Sequence, residues 1–138
     1  MIAYLDSSVL LRFVLDQPGR LAEFDLADHK ITSVLSQSEC LRAVDNARAR
    51  GEFDDEQYDA RRLAVFAKLR RVERVVVARS VLRRAEGMFP AAIATLDAIH
   101  VATALQWRDR REPDLVFATH DRQQSKVARL LGFEVIGV

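Results

Sequence analysis

Short apolar runs alternate along this chain with longer stretches of helical character, and that alternation restricts the fold more than any other feature. "IAYL" (2–5), "KITSVL" (30–35), "ERVVVA" (73–78), "PDLVFAT" (113–119) and "FEVIGV" (133–138) have the composition and length of strands. A strand that is apolar along most of its length needs cover on both faces, which a parallel sheet between helices provides. Right-handed crossovers then place helices on both sides. Ligands of such sheets gather at the carboxyl ends of the strands, where strand order reverses.

The helical segments carry start and stop signals. "DSS" after the first run opens a helix over "VLLRFVL", which Pro18-Gly19 breaks. A short helix is expected over Arg20 to Ala27. "SQSECLRAVDNARAR" predicts a helix stopped by Gly51. "DDEQYDARRLAVFAKLRR" has its acids first and its bases last, as the helix dipole prefers. "SVLRRAEGM" and "RQQSKVARLLG" predict two shorter helices. "TLDAIHVATAL" (95–105) has seven apolar residues in eleven, spread round the helix, and so predicts an inner helix.

Composition sets the outer bounds. The 138 residues suit a single domain, 1–138. With 49% apolar and 30% charged residues the chain belongs with folded proteins and not with disordered ones. Its one cysteine, Cys40, excludes an internal disulfide and a zinc cage, and predicts a small buried hydrophobe in a reducing cytoplasm. No leader pattern precedes "MIAYLDSSVLLRFVLD", and no run reaches the ~18 apolar residues of a membrane span, so a cytoplasmic location is expected. Net charge is +1, but Asp16 to Asp59 carries −6 and Arg61 to Arg84 carries +8. The basic segment suits either a polyanionic partner or two solvated arginine faces.

Four carboxylates occupy equivalent places. Asp6 follows the first strand and Asp121 the fourth. Glu39 lies in the first turn after the second strand, and Asp97 opens the inner helix. Each has a purely structural explanation: Asp6 and Asp121 as helix caps, Ser36 and Glu39 as an S-x-x-E capping box, Asp97 as a partner of the helix dipole. Together they would crowd negative charge at one edge of the sheet and raise a pKa there, unless a cation intervenes. Oxygen ligands suit Mg²⁺ or Mn²⁺ better than zinc. Acid-held metal ions generate hydroxide from water and stabilise a leaving oxygen, the chemistry of phosphodiester hydrolysis. Ser8 and Thr119 stand where hydroxyls would hold metal-bound water or cap helices, with Ser7 a weaker candidate. His100 suits packing or support of the site. Arg42, one turn after Glu39, would pair with it or meet a phosphate, and Arg70 and Arg71 are candidate RNA contacts.

Other architectures fit less well. A phosphatase of the haloacid-dehalogenase type wants an aspartate two residues after Asp6, where Ser8 stands. A receiver domain wants an aspartate after the third strand, and "ERVVVARS" has none. A non-catalytic module for binding nucleic acid or protein would keep the acids only as caps.

"YLDSSVLL", "SVLSQSECLRAV", "TLDAIHVATAL" and "VFATHDRQQSKVARLLGFEVI" resemble, in order and spacing, the PIN domain, and especially the VapC-like toxins of toxin–antitoxin systems. The resemblance implies a three-layer α/β/α sandwich on a parallel sheet of four to five strands. It implies a Mg²⁺- or Mn²⁺-dependent endoribonuclease whose acidic quartet falls on Asp6, Glu39, Asp97 and Asp121, with family hydroxyl positions on Ser8 and Thr119. A homodimer, a VapB-like antitoxin covering the site, and a structured substrate such as transfer or ribosomal RNA are implied likewise.

Overall fold

The computed structural model describes residues 1–138. Five parallel strands, β1 (Ile2–Leu5), β2 (His29–Ser33), β3 (Glu73–Val75), β4 (Val116–Ala118) and β5 (Val135–Ile136), form one sheet in the order β3-β2-β1-β4-β5. The chain steps outward from β1 to β3, then returns to the other side of β1. Strand order therefore reverses between β1 and β4, and the crevice expected of such a sheet opens at the carboxyl ends of that pair.

Helices cover both faces, giving the α/β/α sandwich. On one face lie α1 (Ser7–Val14), α2 (Leu35–Ala49) and α3 (Asp55–Leu69). On the other lie α4 (Arg79–Ala85), α5 (Thr95–Arg110) and α6 (Arg122–Leu130). The two-residue period of β1 divides the core. Ala3 and Leu5 pack with Val9, Leu10, Val44, Val65 and Leu69, whereas Tyr4 joins Phe117, Val101, Ala104 and Leu105 on the other side. The inner helix is as apolar as its sequence suggests: His100 to Leu105 are buried without a break. Cys40 is buried too, and burial, with the charges of Glu39 and Asp6 behind it, pushes its thiol up to about 12. No helix is long and apolar enough to cross a membrane.

Several boundaries differ from the sequence pattern. The helix expected over Arg20 to Ala27 is a single 3₁₀ turn, Ala22–Leu26. The third strand stops at Val75 instead of Ala78, because its one neighbour, β2, ends at Ser33, and Val76 turns out to solvent. Helix α5 runs five residues past Leu105, through Trp107 to Arg110, on its more polar turn. Helix α2 begins at Leu35, so Ser36 is already inside it and caps nothing. Its hydroxyl instead meets Thr32 Oγ1 at 2.6 Å, beneath the strand ends. The S-x-x-E capping box at Ser36 and Glu39 is thereby excluded, which leaves Glu39 without a capping role.

Candidate active site

The last ladder bonds between strands set the site's floor. The Asp6 backbone N–H donates to the Ala118 carbonyl at 2.9 Å, one step beyond the pairing of Leu5 with Ala118. The Thr119 N–H donates to the Ile136 carbonyl at 3.1 Å. Asp6 and Thr119 thus leave the sheet side by side. The two aspartates do cap helices, as the simpler explanation of them requires: Asp6 Oδ2 accepts from the Ser8 N–H at 2.9 Å, and Asp121 Oδ1 from the Gln124 N–H at 2.7 Å. Capping occupies one oxygen of each and leaves the other free for a further partner.

Asp6 uses that oxygen. Its Oδ1 accepts from the side-chain amide of Gln124 at 3.0 Å, and His100 Nε2 stands 3.8 Å away. Glu39, on the second turn of α2, accepts from His100 Nε2 at 2.6 Å through Oε1 and from the Ser7 hydroxyl at 3.1 Å through Oε2. A carboxylate only accepts, so Nε2 carries a proton, and Nδ1 meets the Tyr4 hydroxyl at 2.8 Å. His100 and Tyr4 are fully buried. Burial alone would push the His100 pKa down. The Glu39 hydrogen bond and the charges of Asp6, Glu39 and Asp97 outweigh it, and the pKa is raised. His100 is therefore a support for Glu39 and Asp6, one of the two roles its sequence position suggests.

Asp97 is half-buried at the N-terminus of α5. Its pKa is pushed up to about 6, by burial first, then by the charges of Asp6, Asp121 and Glu39, with His100 opposing. The four carboxylates are thus near enough to act on one another, as their places at the sheet edge suggest. They do not form a closed cage: no three carboxylate, imidazole or thiolate side chains converge tightly enough to grip an ion among them. An open, all-oxygen set of this kind suits a hard cation that keeps most of its water and takes one or two direct carboxylates, as Mg²⁺ does. The donor chemistry and the raised Asp97 pKa fit such an ion.

The hydroxyls divide otherwise than expected. Thr119 Oγ1 accepts from the Asp121 N–H at 3.0 Å and donates to Gln124 Oε1 at 2.6 Å. Ser8 touches no carboxylate with its hydroxyl. It accepts from the His120 N–H at 3.0 Å and lies 3.4 Å from Thr119 Oγ1, which ties α1 to the turn after β4. Ser7, the weaker candidate in the sequence, is the serine that holds an acid. The same turn is clamped from the chain's far end. Gly137, at φ +97°, passes so close to Thr119 that a Cβ would sit 2.5 Å from its carbonyl oxygen, so only glycine fits there. The Gly137 carbonyl accepts from His120 Nδ1 at 2.6 Å, leaving the buried His120 Nε2 without a partner.

The arginines scatter. Arg42 pairs with Asp45 at 2.9 Å rather than with Glu39. With Arg62, Tyr58 and Leu96 it borders a groove of about 730 Å³ that opens beside Glu39. Arg70 and Arg71 immediately precede β3, so they lie at the amino edge of the sheet, across the molecule from the acids. Gln124 and Tyr4 were not indicated by the sequence at all. A lone glutamine in a helix and a tyrosine in a strand carry no local pattern, and only contacts across the fold give them a role.

Compared with known proteins, residues 3–130 match the model of the PIN domain family. The chain is 32% identical over 141 residues to Ribonuclease VapC46 of Mycobacterium tuberculosis, covering 96% of this chain and 95% of that protein. Among solved structures it superimposes on VapBC2 from Rickettsia felis, bound to a DNA fragment from its promoter, with a TM-score of 0.62 at 12% identity; 99% of this chain and 98% of that one are covered. VapBC-1 from nontypeable Haemophilus influenzae gives 0.61 at 16% identity, covering 99% and 97%.

Proposed function

This chain belongs to the PIN-domain family and is homologous to the VapC-type toxins of toxin–antitoxin systems, and on that ground we propose that it is a metal-dependent endoribonuclease, the toxin of such a pair. The observation that carries the reading is Asp97. It is half-buried at the strand edge where Asp6, Glu39 and Asp121 also lie, and its carboxyl is pushed up to about 6 by that burial first and by their charges second, so the site gains by taking up a cation. Asp6, Glu39, Asp97 and Asp121 would hold Mg²⁺ or Mn²⁺. Bound there, the ion would supply the Lewis acidity that phosphodiester hydrolysis needs.

The chain's own residues do the rest. Ser7 and His100 hold Glu39, Ser8 N–H and Gln124 hold Asp6, and Thr119 holds the turn that bears Asp121. Their part is to keep the acids oriented before substrate arrives. Arg42 and Arg62 border the groove beside Glu39 and would meet phosphates flanking the scissile bond. Arg70 and Arg71 would meet RNA only where it passes round to the far edge. A transfer or ribosomal RNA substrate, a VapB-like antitoxin and a homodimer belong to the same proposal, and the relative's name, a ribonuclease, supports it.

The test is cleavage of a defined pool of cellular RNA with Mn²⁺, with Mg²⁺ and with chelator, beside Asp97→Asn. Metal-dependent fragments that vanish in the variant, with the fold intact by circular dichroism, are expected. Fragments that persist in the variant would remove Asp97 from the site. RNA bound tightly without metal and never cut would favour a non-catalytic binding module.

A further inference from the structure

We infer that Gln124 is a positioning residue for the acidic cluster: its side-chain amide, steered by Thr119, holds the Asp6 carboxylate in the orientation that metal binding uses. The inference rests on the metal-dependent reading above. Gln124 lies on the first turn of α6 and is fully buried, on a helix whose Val127 and Ala128 are buried too. A buried amide is costly unless both of its ends are bonded. Here both are, and to the cluster: Nε2 donates to Asp6 Oδ1 at 3.0 Å, and Oε1 accepts from Thr119 Oγ1 at 2.6 Å.

The Asp6 carboxylate orients the amide. It only accepts, so a reversed Gln124 would place an oxygen against an oxygen. With Nε2 on Asp6, Oε1 faces Thr119 Oγ1, whose hydroxyl donates to it while accepting from the Asp121 N–H. The Ser8 N–H at 2.9 Å and the Gln124 amide at 3.0 Å then hold the two Asp6 oxygens between them. About half of the acceptor positions of a carboxylate remain open, with their direction set. Because the Gln124 N–H also caps onto Asp121 Oδ1 at 2.7 Å, one residue touches two of the four acids. A residue needed only for packing at this position would be apolar.

The experiment compares the intact protein with Gln124→Met, which keeps length and loses the bonds, and Thr119→Val, which keeps shape and loses the hydroxyl. Mn²⁺ affinity is measured by isothermal titration calorimetry, and thermal melting in chelator reports folding. Both variants should melt cooperatively and bind Mn²⁺ about 10- to 100-fold more weakly, the usual loss when support of a metal ligand is removed. The double variant should bind no more weakly than the weaker single one, because both interrupt one relay. The Mn²⁺ needed for half-maximal RNA cleavage should rise, with KM for RNA unchanged. Affinities within twofold of the intact protein, or losses that multiply in the double variant, would overturn the role of Gln124. If Gln124→Met does not fold, Gln124→Glu, which keeps the shape and sets a carboxyl against Asp6 in place of the donor, decides the matter by the same Mn²⁺ titration. If the unmodified protein binds no Mn²⁺, the metal-dependent reading falls and this inference with it; Mn²⁺ bound equally by all four proteins removes Gln124 only.

Discussion

An aspartate raised to about 6 is an anion that its own fold opposes, and Asp97 is in that position. In the unfolded chain its pKa returns to about 3.9. The folded state therefore binds the proton more tightly. Stability contributed by this group falls as pH rises from about 4 to about 6, and the penalty is complete above that range. In chelator at pH 7, Asp97→Asn should be the more stable protein, by about 1 kcal/mol once its half exposure to solvent is discounted. The advantage should fade toward pH 4. Denaturant titrations at the two pH values check this, and equal midpoints at pH 7 would mean that neither burial nor the other acids hold the Asp97 pKa up. The acids themselves stood out in the sequence because each follows a strand or opens a helix, a local signal. Tyr4 with His100, Ser7 with Glu39 and Gln124 with Asp6 gave none, since these pairs lie 96, 32 and 118 positions apart.

Charge placement belongs to the helices. Helix α3 packs on α2 and leads into the amino end of β3. It keeps Arg62 beside the groove at Glu39 and delivers Arg70 and Arg71 to the opposite side. Composition shows that this segment is basic but not that its two ends face different edges, because that follows from the direction of the crossover. Replacing Arg62 by Gln should lower the salt slope of RNA binding by about 1 and weaken binding. Binding measured from low to moderate salt tests it, with Arg70→Gln/Arg71→Gln alongside. A slope altered by the far pair alone would show that the RNA lies across the amino edge, against the proposed path. Element boundaries strayed from the pattern where tertiary neighbours decided them. β3 stops where its partner stops, and Ser36, taken up by Thr32 under the strand ends, lies inside α2 instead of capping it.

On the scale of the whole molecule, the parallel sheet and its two helical layers followed from the alternation of apolar runs and helices, and strand direction placed all four acids at one edge. A cation bound at that edge must stabilise the folded state by mass action. Mn²⁺ at 100 times its dissociation constant should add about 2.7 kcal/mol. Melting followed across a Mn²⁺ titration checks this, with Asp97→Asn showing a smaller gain. No gain in the unmodified protein would favour the binding module.

The order β3-β2-β1-β4-β5 puts the first strand at the centre and brings in its other neighbour only after β2, β3 and five helices have been made. Asp6 is made with the first strand, but the β4 backbone it pairs with, and Thr119, Asp121 and Gln124, come more than a hundred residues later. No partly made chain can assemble the cluster. A chain still short of β4 and α6 therefore lacks the cluster, an order of assembly set by strand topology and owing nothing to any partner.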